Sequence, residues 1–258
     1  MTEKVSDCFT EDGIKEHEFL VDEMLDWGSW HYHLETKPKM IVLDTRTHRW
    51  RSESNAMKPS GLMDWESLSE LQQELINQPA VIMVSPAPIY GVKLIEAIQR
   101  VFTFFGKPLA VDAENWMAHS GTANVMLNIF KHHKTPPYFL ILSGDVHYSF
   151  VYDVTHRFRR SSSQIIQVTC SGIKNKFPDK LLNVLERLNH YLYGRYSPLN
   201  WFTKRRSMKI IERKPDVQPN KTLYNGSGIG TISLDRHAKE VEAGIIRNQG
   251  KHIVFKKR

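Results

Sequence analysis

Apolar positions in this chain follow two periods. Short apolar runs occur at Lys39-Met-Ile-Val-Leu-Asp44, Ala80-Val-Ile-Met-Val-Ser85 and Tyr138-Phe-Leu-Ile-Leu142. Runs this short, bounded by breakers such as Pro136 and Pro137, predict buried strands. Strands apolar on both sides belong to a sheet covered on both faces. Between these runs the period lengthens to that of a helix. Asp64 predicts an N-cap for a helix reaching Glu74 or Asn77, with Trp65, Leu68, Leu71 or Gln72, and Leu75 on its apolar face. A helix over 92–105 places Leu94, Ile95, Ile98, Val101, Phe102 and Phe105 in a stripe that reads as core, ended by Gly106 and Pro108. Further helices are predicted near 15–25, over 122–132, and over 179–193 with Leu181, Leu185, Leu188 and Leu192 on one face. Strand patterns follow at 150–154, 164–170, 229–234, 240–247 and 252–255, with a hairpin turn at Asn248-Gln-Gly250. Residues 194–222 read as basic, aromatic and loop-rich. Strand, helix, strand, helix, strand, then a run of strands, predicts a layered α/β fold around a sheet.

Composition narrows the class. The chain has 258 residues, 41% hydrophobic and 24% charged, enough apolar content for a sizeable core and against global disorder. Net charge is +7, with basic runs at Lys204-Arg205-Arg206, Arg213-Lys214 and Lys256-Lys257-Arg258. Each run taken alone reads first as a solvated face; together they suit an anionic partner. Trp201 and Phe202 beside Lys204 can stack single-stranded nucleic acid, but one such cluster is weak evidence. Two distant cysteines, Cys8 and Cys170, make no disulfide framework and fit a reducing compartment. The polar N-terminus reads as no signal peptide, so a cytoplasmic location is expected. The stretch 80–98 is broken by Ser85-Pro-Ala-Pro88 and carries Lys93 and Glu96, which excludes it as a membrane span.

Candidate chemistry gathers where the apolar runs end. Ser143-Gly144-Asp145-Val146-His147 closes the third run. Gly144 frees the backbone for a sharp turn. Asp145 and His147 then project from the strand's end, where open α/β sheets place ligands. A carboxylate and an imidazole two residues apart can reach one cation; the plainer alternative is a turn aspartate and a satisfied loop histidine. After Asp44, Arg46 and Arg49 can clamp a phosphate with their guanidinium forks or pair with Asp44 to hold the loop. In Asp112-Ala-Glu-Asn-Trp-Met-Ala-His119, either Asp112 or Glu114 caps the following helix with His119 exposed, or a residue of this stretch lines a pocket near the Asp145 turn. His31 and His33 share one face of an extended segment and either ligate a metal or serve structurally.

Leu43-Asp-Thr-Arg-Thr-His-Arg49, Ser85-Pro-Ala-Pro88, the Trp116 segment and Leu142-Ser-Gly-Asp-Val-His-Tyr-Ser149 together resemble the PhoD-like metallophosphatase (alkaline phosphatase D) family of the calcineurin-like metallophosphoesterases. The resemblance covers about residues 27–175 and, more loosely, the closing strands. It implies a layered metallophosphoesterase-type β-sandwich flanked by helices, and a metal-dependent phosphoric ester hydrolase acting on a phosphorylated small molecule or a phosphodiester, with nucleic acid ranked below these. It makes Asp145 and His147 metal ligands, His147 and Arg46 catalytic candidates, and Arg46, Tyr148 and His119 substrate contacts. The metal is divalent or trivalent: Ca, Fe, Mn or Zn. The family's earlier ligand motifs are absent before Asp44. The chain therefore looks like the C-terminal half of such an enzyme, incomplete at its N-terminus through truncation or a split gene, with a separate chain supplying the rest. The expected division is an acidic segment 1–26, the half-domain 27–175, and an extension 176–258 of helix, basic loop and terminal hairpin. Half a ligand set binds metal weakly, and a missing half leaves core faces and a strand edge uncovered. The alternative is a catalytically dead remnant that binds an anionic partner through 194–214.

Overall fold

The alternation of β-branched and aromatic residues across the short apolar runs builds two stacked sheets. The computed structural model describes residues 6, 8–10, 13–14, 16–27, 30–50, 60–105, 115–144, 146–157, 163–173, 176–194, 197–235 and 240–257. In chain order, a two-residue pairing of β1 (Phe9–Thr10) with β2 (Gly13–Ile14) precedes helix α1 (His17–Asp26). Then come β3 (Tyr32–Leu34), β4 (Lys39–Val42), α2 (Trp65–Leu75), β5 (Val81–Ser85), α3 (Lys93–Phe104), α4 (Ser120–Lys131) and β6 (Tyr138–Ser143). The second half carries β7 (Phe150–His156), β8 (Gln164–Thr169), α5 (Asp179–Tyr193), β9 (Met208–Glu212), β10 (Lys214–Pro215), β11 (Ile229–Leu234), β12 (Val241–Ile246) and β13 (His252–Lys256).

The main sheet has seven strands in the order β3-β4-β5-β6-β8-β7-β9. Its centre, β4, β5, β6 and β8, is parallel; β3, β7 and β9 run antiparallel to their neighbours. Odd and even positions separate cleanly, as the two-residue period of a strand requires. Val81, Met83, Phe139, Ile141, Phe150 and Tyr152 share one cluster with Leu68, Leu71 and Leu75 of α2 and Met126, Leu127 and Phe130 of α4. Ile82, Leu140, Val151, Ile166 and Val168 pack instead on Val241, Ala243, Ile245, Ile253 and Phe255. Those last five belong to a four-stranded antiparallel sheet of order β10-β13-β12-β11. The protein is thus a mixed α/β fold of three layers: helices, a seven-stranded sheet and a four-stranded sheet. Each fully buried Leu, Ile or Phe in these layers contributes about 1.5–3 kcal/mol of apolar burial.

Several expectations need correction. The α3 stripe is not core along its length: Leu94 is buried, but Val101, Phe102, Phe104 and Phe105 are exposed, Phe104 at 84%. Periodicity marks which side of a helix is apolar, and says nothing about what covers it. Trp65 turns outward at 55% exposure, leaving Leu68, Leu71 and Leu75 as the buried face of α2. Leu181 and Leu188 of α5 are likewise exposed, and Leu182 is its buried residue. Residues 194–222 are loop-rich as expected but also carry an unpredicted strand, since Met208–Glu212 closes one side of the main sheet on β7.

The basic runs are not uniformly solvated either. Arg213 is buried and forks onto Asp153, Nε to Oδ2 at 2.8 Å and one NH2 nitrogen to Oδ1 at 2.7 Å, while its other terminal nitrogen reaches the Val241 carbonyl at 2.7 Å. A buried pair survives when each nitrogen of the guanidinium finds an acceptor in this way. Arg205 is buried against Glu96. Among the described residues, no helix is long and apolar enough to cross a membrane.

Candidate functional site at the carboxyl ends of the parallel strands

Because β4, β5, β6 and β8 are parallel, their carboxyl ends fall along one edge of the sheet. The segments that follow them converge there through the backbone. Leu43 donates its N–H to the Val84 carbonyl at 3.0 Å, Gly144 to Pro86 at 3.2 Å, and Cys170 to Ser143 at 3.1 Å. The buried Trp116 indole donates to Ser85 Oγ at 2.9 Å and to the Ala87 carbonyl at 3.2 Å. Ser143 Oγ and Thr169 Oγ1, on neighbouring strands, lie 2.7 Å apart. Four motif-bearing stretches from distant parts of the sequence therefore meet around Ser85-Pro86-Ala87.

The loop after β4 folds back on its own aspartate. Asp44 Oδ1 accepts from the Arg46 N–H at 2.8 Å and the Thr47 N–H at 3.1 Å, and Oδ2 accepts from the Thr47 hydroxyl. Burial alone would push the Asp44 carboxyl up; these hydrogen bonds outweigh it and hold the group below the usual aspartate range. Arg46 thus holds the loop through its backbone, with its side chain exposed. Arg49 Nε donates to the Thr45 carbonyl at 3.0 Å, so it holds the loop by a carbonyl rather than by Asp44. Trp50 pairs with Gly61 through the backbone, and its ring lies 4.9 Å from that of His119.

His119 is the N-cap of α4. Its Nδ1 accepts from the Thr122 N–H at 3.2 Å. This cap belongs to neither Asp112 nor Glu114, both of which lie outside the described residues. Burial, then the nearby Lys204 charge, lowers the His119 pKa, which keeps the capping nitrogen an acceptor. Its packing is tight: a Cβ on Gly61 would come within 3.0 Å of His119 Nδ1 and within 1.9 Å of Thr122 Oγ1.

Tyr148 is buried, its ring between Phe150 at 5.8 Å and Phe177 at 5.9 Å, and burial raises its hydroxyl pKa above the ordinary tyrosine range. His147 is exposed, and its carbonyl accepts from the Phe177 N–H at 3.3 Å. Asp145 lies outside the described residues. Among those described, no group of three or more His, Cys, Asp or Glu side chains is arranged to hold a metal ion. Asp44 and His119 already answer backbone donors, so they do not complete a set with His147. The described donors at this edge do not fit a closed metal site.

His31 and His33 meet elsewhere. His31 Nε2 lies 3.1 Å from Glu74 Oε2, and His33 Nδ1 lies 2.7 Å from Glu74 Oε1, with Lys39 Nζ 3.1 Å from the same carboxylate. They clasp the outer strand β3 to α2. Sequence reasoning named these residues separately and did not bring them together: Lys93, Glu96, Lys204 and Arg205 assemble where α3 meets the 198–205 segment. Glu96 is an acid inside an apolar helical stripe, the one signal that pointed to it. Its partner Arg205 is 109 residues away.

No family model and no curated protein matches the chain. Among solved structures, the one titled "Structure of PhoD" is similar to it at 11% sequence identity and a TM-score of 0.40, over 88% of this chain. The chain spans 44% of the length of that structure. A likeness of this size bears on neither activity nor substrate.

Proposed function

We propose that the carboxyl edge of the parallel strands receives a phosphoryl group, as one side of a metal-dependent phosphoric ester hydrolase. The convergence of the Asp44, Ser85, Trp116 and Gly144 segments on that edge is the observation that supports this reading. Those are the stretches on which the PhoD-like resemblance rests. In this reading Asp145 and His147 are the metal-facing residues, and the exposed Arg46 meets the anion. The half-domain division at residues 26 and 175 belongs to the same proposal.

The described residues do not close a metal site, so hydrolysis depends on ligands from outside them, including a separate chain. What these residues do is bind and orient the ester. The measurement is hydrolysis of a phosphomonoester and a phosphodiester with Ca, Fe, Mn or Zn supplied, comparing wild type with Asp145→Ala and His147→Ala. Metal-dependent turnover that both substitutions abolish is expected. Equal rates in wild type and Asp145→Ala would remove Asp145 from the site. Salt-dependent binding to an anionic polymer with no turnover under any metal would identify the inert binding protein instead.

A further inference from the structure

A cavity of about 160 Å³ lies between α3, the end of α5 and the 198–205 segment. Lys93, Arg100, Lys204 and Arg205 line it, against the single carboxylate of Glu96. That carboxylate is already engaged: Oε2 accepts from Arg205, and Oε1 accepts from the Gly91 N–H at 3.0 Å. Arg205 is locked, with its second terminal nitrogen on the Gly91 carbonyl at 3.1 Å and its guanidinium 6.0 Å from the Tyr90 ring centre. The lysines are fixed by neutral groups. Lys93 Nζ donates to Asn200 Oδ1 at 2.7 Å and Lys204 Nζ to the Met117 carbonyl at 2.6 Å. A neutral acceptor positions an ammonium without cancelling its charge.

We propose that this cavity binds a phosphate-sized oxyanion, either a free inorganic ion or the phosphoryl end of a small ester. The volume holds a tetrahedral oxyanion and several waters, given that one water occupies about 30 Å³ of liquid. Clustered, half-buried cations repel one another and lose hydration, and one anion offsets both penalties. Their effect is visible in the lysines: burial, then Arg205, brings Lys93 down to about 8, and burial, then Arg100, brings Lys204 down to about 8. Leu199 and Phe202 also line the cavity and are exposed, so an ester's organic part has apolar surface to rest on. His147 is not among the described residues that line the cavity, and the inference stands whether or not the strand edge hydrolyses anything.

The test is calorimetric titration of the full chain with inorganic phosphate, sulfate and phenyl phosphate. Saturable binding is expected that Lys204→Met or Lys93→Met weakens about tenfold or more, the equivalent of one charge-assisted hydrogen bond, and any further phase lost in Asp145→Ala belongs to the strand edge. In Asp145→Ala and His147→Ala the lysine-dependent binding should persist unchanged. Tighter binding of phenyl phosphate identifies an ester end as the ligand; equal affinities identify the free ion; both support the site. Far-UV dichroism and the free-state Tm confirm that each Met variant is folded, and either variant alone suffices. Wild-type affinity in a folded Met variant, no saturable binding by wild type, or loss of the lysine-dependent binding in Asp145→Ala would each overturn the proposal.

Discussion

The strand edge and the cationic cavity lie close together, joined by the Trp116-Met117 step, yet they treat polar groups in opposite ways. At the edge, Asp44, His119 and the Ser143–Thr169 pair answer donors and acceptors of their own fold. In the cavity, four cationic side chains face one carboxylate that is already engaged. A motif and its described polar groups can thus serve loop and helix ends. A constellation without any motif can carry the uncompensated charge. Uncompensated charge, as well as sequence pattern, marks where a ligand fits.

The largest effect is expected at Arg205. Arg205→Met leaves Glu96 buried without its cation, and a loss of about 3–5 kcal/mol is expected in chemical denaturation. Adding Glu96→Gln should restore most of that loss. No recovery in the double variant would mean that Arg205 acts by packing and not by charge. Next in size is Asp44→Ala, which strands the Arg46 and Thr47 donors at the strand edge. About 1–3 kcal/mol of stability should go, with sulfate affinity in the cavity unchanged. A variant that keeps its stability would show that the loop holds without its aspartate.

The smallest effect is a pH dependence, and its sign follows from the lysines. Lys93, facing Arg205, Arg157, Glu212 and Glu96, loses its charge as pH rises through about 8. Lys204, facing Arg100 and Glu96, does the same. Sulfate keeps its charge in this range, so its affinity should be greatest below pH 8 and fall several-fold above it, by less than about the tenfold of a full lysine deletion. A flat profile from pH 7 to 9, measured with sulfate, would take both lysines out of the site. In the free protein the sign is reversed. A lysine whose folded pKa is depressed destabilises the fold while charged, and that cost is relieved as pH rises from 8 towards the ordinary lysine range.

Much of the architecture was legible from the chain because it rests on local rules. Short apolar runs bounded by prolines mark three of the four central parallel strands, β4, β5 and β6. Asp64 as an N-cap is confirmed by its hydrogen bond from the Ser67 N–H at 2.8 Å, and α5 occupies the predicted 179–193. What escaped rests on distant pairs. Strand β9 is short and lies inside a basic, aromatic stretch, and its membership depends on pairing Ile211 with Asp153. Arg213 reads as solvated until Asp153, sixty residues earlier, is brought beside it. The candidate edge was legible as segments: the stretches that follow the parallel strands do meet through their backbones. Their uses were not, since a histidine N-cap such as His119 is chemically able but outside the usual capping residues.

The four-stranded sheet has a consequence for the order of synthesis. Every strand in it comes from residues 214–256, while the face it covers is built from Ile82, Leu140, Val151, Ile166 and Val168. On a translating ribosome that face is complete long before its cover emerges. Contacts of such long sequence separation form late and slowly. Until Val241 to Phe255 leave the exit tunnel, the nascent chain carries a bare apolar sheet, the kind of surface that chaperones bind and that aggregation exploits.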